Sequence, residues 1–181
     1  RKLAEDALRE SERKFHSVIS ESADGIILSD ELGRIIEFND AIEQITGQSR
    51  EAVLGQFLWD FQFQVIPEFM RTDEHYVRVK EAVQKVLETG ESLFHNRILE
   101  SPFQSADGSL GFIQQRLFSI RTEKGWRLGS ISRDITQQKQ ANETLRRQYE
   151  NLHSLYQMTA TLSQSMIIEE VYDAALDSLQ N

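Results

Sequence analysis

The chain has 181 residues, is 39% hydrophobic and 27% charged, and carries a formal charge of −9. That composition suits one domain of ordinary size with helical extensions, and the acidic balance argues against nucleic-acid binding and against docking on an anionic membrane, both of which need clustered Lys and Arg. The absence of cysteine excludes disulfides, Cys-ligated zinc and cysteinyl adducts with a chromophore, and no apolar run approaches the length of a membrane span.

Residues 1–20 read as an amphipathic helix. Ala4, Leu8, Ser11, Phe15, Val18 and Ile19 recur at three- and four-residue steps among charged residues. Such a helix either packs on its own domain or pairs with its copy in a dimer. Asp24 to Asn39 reads as strand, turn and strand, with Gly33 available for a positive φ. Asn39 is placed to cap a helix from Asp40 to Thr46 that Gly47 stops, and Ser49 to cap a second from Arg50 to Leu54 that Gly55 stops. Helices this short need packing against the hairpin to persist.

Residues 56–71 are rich in aromatics. The alternation of Phe57, Trp59, Phe61 and Phe63 suits a strand, while Pro67 and the lack of turn chemistry suit a loop or short helix. Thr72 to Glu88 predicts a helix ended by Gly90, with Val79, Ala82, Val83 and Val86 on one face. Three strands follow, over 92–103, 111–121 and 126–134, the first two joined by Asp107-Gly108. Phe112, Phe118 and Ile120 lie on one face of the middle strand, and Ile113 and Leu117 on the other. Both faces of the sheet are therefore expected to be partly covered, one by the helices at 40–88 and the other by the N-terminal helix or a partner chain.

Beyond Thr136 the pattern becomes one of long helix. Leu145, Leu152, Thr159 and Met166 recur every seven residues, and Leu155 and Leu162 precede the next member by four. This is an a/d stripe of a modest coiled coil, or else the apolar face of a helix folded against its own domain. A fresh helical pattern opens at Ser165, and the chain reads as a piece of a longer protein.

The order of elements and their punctuation resemble a PAS sensor domain over roughly residues 12–136. The carrying residues are Asp24-Gly25-Ile26, Asp30 with Gly33-Arg34-Ile35, Asn39 with Ile45-Thr46-Gly47, Leu54-Gly55, Glu88-Thr89-Gly90, Asp107-Gly108, Gly129 and Asp134-Ile135-Thr136. The resemblance implies an α+β fold: a five-stranded antiparallel sheet with helices over one face, flanked by N- and C-terminal helices. It divides the chain into a helix at 1–20, a PAS domain at 21–136 and a coiled-coil signalling helix at 137–164. Residues 165–181 resemble the opening helix of a GAF domain.

Four histidines, His16, His75, His95 and His153, lack any metal-ligand spacing, so no metal site is expected. Haem-binding PAS domains supply an axial histidine from the helix before the third strand. His75 opens that helix, although the family's ligand position falls nearer Val79. Trp59, Phe63, His75, Phe94 and Phe118 are the candidate pocket, of which Trp59, Phe63, Phe94 and Phe118 could wall a planar ring such as non-covalent FAD. The simpler expectation is an aromatic core with no cofactor. No nucleophile has a base nearby and no phosphate loop is present, so the fragment is not expected to be an enzyme. His153 lacks the context of a phosphoacceptor.

The resemblance assigns signal transmission to Asp134 and Thr136, which link the last strand to the output helix, with Arg34 as the expected charge partner. The reading is a sensory module in a cytoplasmic signal-transduction protein, most simply a sensor histidine kinase whose parent chain could be membrane-anchored elsewhere. It would dimerise through its flanking helices and respond to a small molecule or a partner. A ligand-free relay, or a module of a diguanylate cyclase or transcription regulator, is the alternative.

Overall fold

The computed structural model describes residues 2–91 and 97–179. It divides into two compact units, residues 1–136 and 137–181. The first opens with helix α1 (Lys2–Ser20) and the hairpin β1 (Gly25–Ser29) and β2 (Ile35–Phe38). Helices α2 (Asp40–Thr46), α3 (Arg50–Val53), α4 (Leu58–Val65) and α5 (Asp73–Thr89) follow, with a 3-10 turn at Glu68–Met70 before α5. Strands β3 (Ile98–Gln104), β4 (Leu110–Thr122) and β5 (Gly125–Asp134) complete a sheet of order β2-β1-β5-β4-β3, antiparallel at every pairing. The five-stranded α+β architecture is the one the sequence predicts.

The predicted caps form: the Asn39 side chain accepts from the Ile42 N–H, and that of Ser49 from Ala52. Thr72, read from the sequence as the first helical residue, caps α5 by accepting from the His75 N–H. Gly90 ends α5 at φ 75°, and the Trp126 ring lies so close that a Cβ there would collide with it. Glycine is therefore required twice at this position, for conformation and for space.

The aromatic stretch is helical rather than extended. Leu58, Phe61 and Val65, at a helix's three- and four-residue steps, turn to the core with Trp59, and the odd-numbered alternation had masked this spacing. The strand expected from 92 is observed from Ile98, and residues 92–96 fall outside the described set.

The core lies between the helices and one face of the sheet. Phe38, Ile35, Ile42 and Val53 are buried, and the Phe38 and Phe61 rings meet edge to face at 5.3 Å. On the other face Phe112, Ile120 and Ile131 remain about 40% exposed. Cover there is confined among these residues to the β2 edge, where Glu37 is buried beside Arg50 and His16. The N-terminal helix thus supplies the second cover at that edge, while across β4 and β5 the expected partial cover is left to a partner chain.

The second unit is helical. Helix α6 runs from Thr136 to Leu179, consistent with a stretch that contains neither Gly nor Pro. Its Leu145, Tyr149, Leu152, Leu155, Tyr156 and Leu162 are exposed, and Glu143, Arg146, Arg147 and Glu150 form ion pairs along the polar side. Among the described residues no helix is long and apolar enough to cross a membrane.

Candidate functional site

Strand β5 ends where α6 begins, and the joint is held by side chains. Asp134 Oδ1 accepts from the Thr136 N–H at 2.8 Å and from the Thr136 hydroxyl. That hydroxyl oxygen accepts from the Phe112 N–H at 2.9 Å, and the Ile135 N–H donates to the Phe112 carbonyl at 2.9 Å. Thr136 therefore fastens the first turn of α6 to the start of β4. Gly111 makes room for it: a Cβ there would meet Thr136 Oγ1 at 2.6 Å. A carboxylate acceptor strengthens each bond it takes part in.

Arg34 is not part of this joint. The hairpin register sets Ser29 opposite Ile35, whereas Gly25, at the other end of β1, lies opposite Ser132. Roughly 13 Å of strand separates the two ends. The charged neighbour of Asp134 is Arg133, whose Nε and Nη2 bond both carboxylate oxygens of Asp24 at 2.7 and 2.8 Å. The Arg133 guanidinium holds the Asp24 carboxyl below its ordinary range, against a smaller opposing effect of burial.

Asp24 leads in turn to a buried hub. The Asn39 amide nitrogen donates to the carbonyls of Ile19 at 2.8 Å and Asp24 at 3.1 Å. Its oxygen accepts from the N–H groups of Ile26 at 2.8 Å and Ile42 at 3.2 Å. At 1% exposure, Asn39 thus joins the end of α1, the start of β1 and the start of α2. The sequence showed only its capping role. Asp24 and Arg133 stand 109 residues apart, and no local pattern pairs them; the β1–β5 register does.

The four described candidate pocket residues do not form one pocket wall. Trp59 is buried with its ring stacked on Phe57 at 4.4 Å, and Phe63 meets Tyr76 edge to face at 5.3 Å. His75 lies in the first turn of α5 with Nδ1 2.9 Å from Arg78 Nη2. Phe118 belongs to the other face of the sheet, where its ring fills the space over Gly129. Phe94 falls outside the described residues. Among the described residues no group of three or more His, Asp or Glu could hold a metal ion.

A groove of about 490 Å³ does open along α4, lined by Arg34, Gln56, Phe57, Asp60, Phe63, Gln64 and Tyr76. Arg34 Nη1 donates to the Gly55 carbonyl at 2.9 Å, and its guanidinium lies 4.3 Å over the Phe57 ring. The Tyr76 hydroxyl donates to Asp60 Oδ1 at 2.7 Å. Asp60 is the main reason the Tyr76 phenol is pushed above its ordinary value. Phe63 was the groove residue legible in the sequence as pocket-forming. Asp60 and Tyr76, 16 residues apart, come together because α4 packs along α5.

The PAS fold family model matches residues 13–116, more than half of the chain. Over 141 residues, 77% of this chain, it is 31% identical to the sensor histidine kinase TmoS of Ectopseudomonas mendocina. It is 35% identical over 101 residues, 55% of this chain, to a protein of Azorhizobium caulinodans. The chain spans about an eighth of the length of these relatives, 13% and 12% respectively. Among solved structures, the PAS domain of an HTR-like protein from Haloarcula marismortui is 27% identical, with a TM-score of 0.55 over 75% of this chain and 100% of that one. On its fold and its family match, this chain belongs to the PAS family, the sensory modules of signalling proteins.

Proposed function

We propose that this PAS module responds to a small molecule or partner and passes the change through Asp134-Ile135-Thr136 into α6, in the dimeric, cytoplasmic part of a sensor histidine kinase. The observation that carries this reading is the joint itself. A single hydroxyl, that of Thr136, binds both β4 and Asp134, so the residue at which α6 begins is tied to two strands of the sheet. Elements fixed by a few directional bonds have discrete alternatives, which is what a switch requires. The Asp24–Arg133 pair and the Asn39 hub extend the same connections to the end of α1.

The exposed stripe of α6 supports a coiled coil over 137–164, since two such stripes bury one another. Likeness to TmoS supports a kinase parent over a cyclase or a transcription regulator. The GAF assignment of 165–181 rests on sequence pattern alone. Scattered aromatics and a histidine beside Arg78 favour a chain without haem or flavin.

The test is Asp134→Ala in the parent protein. It removes the acceptor of two bonds, with an expected loss of about 1 kcal/mol, the scale of a helix cap. The domain should stay folded by near-ultraviolet circular dichroism while autophosphorylation stops following the signal. Normal signal dependence in that variant would remove the joint from the mechanism.

A further inference from the structure

Resting on that sensory reading, we propose that the groove along α4 binds a small zwitterion, an α-amino acid with an apolar or aromatic side chain. Arg34 and Asp60 line one groove with opposite charges, yet among the described residues neither is ion-paired, with the other or with a third group. Each is instead held by neutral neighbours. The Gly55 carbonyl and the Phe57 ring fix the guanidinium, and the Tyr76 hydroxyl fixes the carboxylate.

These contacts leave capacity on both sides. A guanidinium has five N–H donors and a carboxylate about four acceptor positions, and each is engaged by one hydrogen bond. A ligand carboxylate fits the remaining fork of Arg34, and a ligand ammonium fits the second oxygen of Asp60. A simple amine would answer Asp60 but meet the charge of Arg34, and a simple carboxylate would meet the reverse. Only a molecule carrying both charges satisfies the two walls together. Phe63 and Tyr76, meeting edge to face, supply apolar surface for the side chain. The volume of about 490 Å³ lies within the span of small-molecule sites, roughly 300–1,000 Å³.

The test is isothermal titration of the whole chain with L-phenylalanine and L-leucine. Phenethylamine and 3-phenylpropionate, each lacking one charge of phenylalanine, are the comparison. At least one amino acid should bind, and the singly charged analogue should bind weaker by about tenfold or more. Arg34→Gln and Asp60→Asn should each weaken the amino acid by a similar factor. Asp60→Asn should also shrink the penalty on 3-phenylpropionate, which has no ammonium to lose.

No binding of either amino acid at millimolar concentration, or analogues that bind equally well, would overturn the proposal. The analogue comparison uses the unaltered chain, so a variant that fails to fold does not shelter it. If the groove takes no amino acid while Asp134→Ala still silences the parent, the ligand assignment falls and the joint stands.

Discussion

The domain and the helix that follows it treat their large apolar side chains in opposite ways. Within the domain Phe38, Ile35 and Ile42 are at most 1% exposed. Along α6, Leu145, Leu152, Leu155 and Leu162 are each more than half exposed, between 51% and 65%. Burial of a leucine side chain is worth about 2 kcal/mol. The domain has collected that stabilisation by itself, whereas a lone α6 leaves it unrealised. A single chain therefore accounts for the fold of the domain, and on the proposed coiled-coil reading a second copy would supply the cover that the stripe of α6 lacks. The outer sheet face, with Phe112, Ile120 and Ile131 about 40% exposed, lies between these extremes.

Asn39→Ala is the sharpest attack on the self-sufficient side. It strands the N–H groups of Ile26 and Ile42, and takes one donor from each of the Ile19 and Asp24 carbonyls, which keep only Ser22 as partner. A loss of about 3 kcal/mol is expected, read as a lower urea midpoint of tryptophan fluorescence. Both tryptophans, Trp59 and Trp126, belong to the domain, so the probe reports on it alone. Asn39→Asp keeps the two acceptor bonds but turns a second oxygen toward the Ile19 and Asp24 carbonyls. It should therefore also destabilise. A midpoint unchanged by either substitution would show that the hub is not structural.

Leu152→Asp with Leu155→Asp attacks the other side. Buried charge in a paired stripe should weaken self-association by more than about tenfold, read by light scattering across concentration. The tryptophan midpoint should not move, because neither residue belongs to the domain core. A stable monomer in the unaltered chain would break the comparison, since α6 would then need no partner.

What the sequence made legible follows the same division. Capped helices, glycine stops and the Asp107-Gly108 turn are local, and they appear where the residues put them. The α4 stretch was ambiguous because Phe57, Trp59, Phe61 and Phe63 alternate like a strand, while Leu58, Phe61 and Val65 carry the helical spacing. Asp134 and Thr136 were named by the resemblance; the bonds between them span two residues, whereas the bond from Phe112 to Thr136 spans 24 and has no local signal. Asp24 with Arg133, and Asp60 with Tyr76, were not, because strand register and helix packing create them. Arg34 was assigned to the wrong end of β1, since charge complementarity names a partner without supplying a distance. Apolar residues on both sides of β4 stated a need for cover on the outer face, and of the two sources expected α1 reaches its β2 edge.

Acid offers the smallest and most discriminating perturbation. Glu31 accepts from the Thr122 hydroxyl at 2.7 Å and from Arg127 Nε at 3.0 Å. The hydroxyl, ahead of the smaller contribution from Arg127, brings the Glu31 carboxyl from an ordinary 4.5 down to about 2. Asp24 is lowered by Arg133. A carboxylate whose folded pKa lies below its unfolded value binds fewer protons in the native state. Its stabilisation is present in full above the unfolded value and is lost as pH falls through the folded one. The tryptophan midpoint should accordingly hold steady down to about pH 4.5 and decline toward pH 2. Thr122→Val and Arg127→Gln should flatten the Glu31 part of that decline, and Arg133→Gln the Asp24 part. On α6, Arg146 and then Arg147 bring Glu143 down to about 2 as well, so helix content should fall over the same window. That loss should survive all three domain substitutions, because its charges sit on a different element. If Arg133→Gln also removed the helical change, acid would be acting through the Asp24–Arg133 pair on α6, and the two regions would titrate as one.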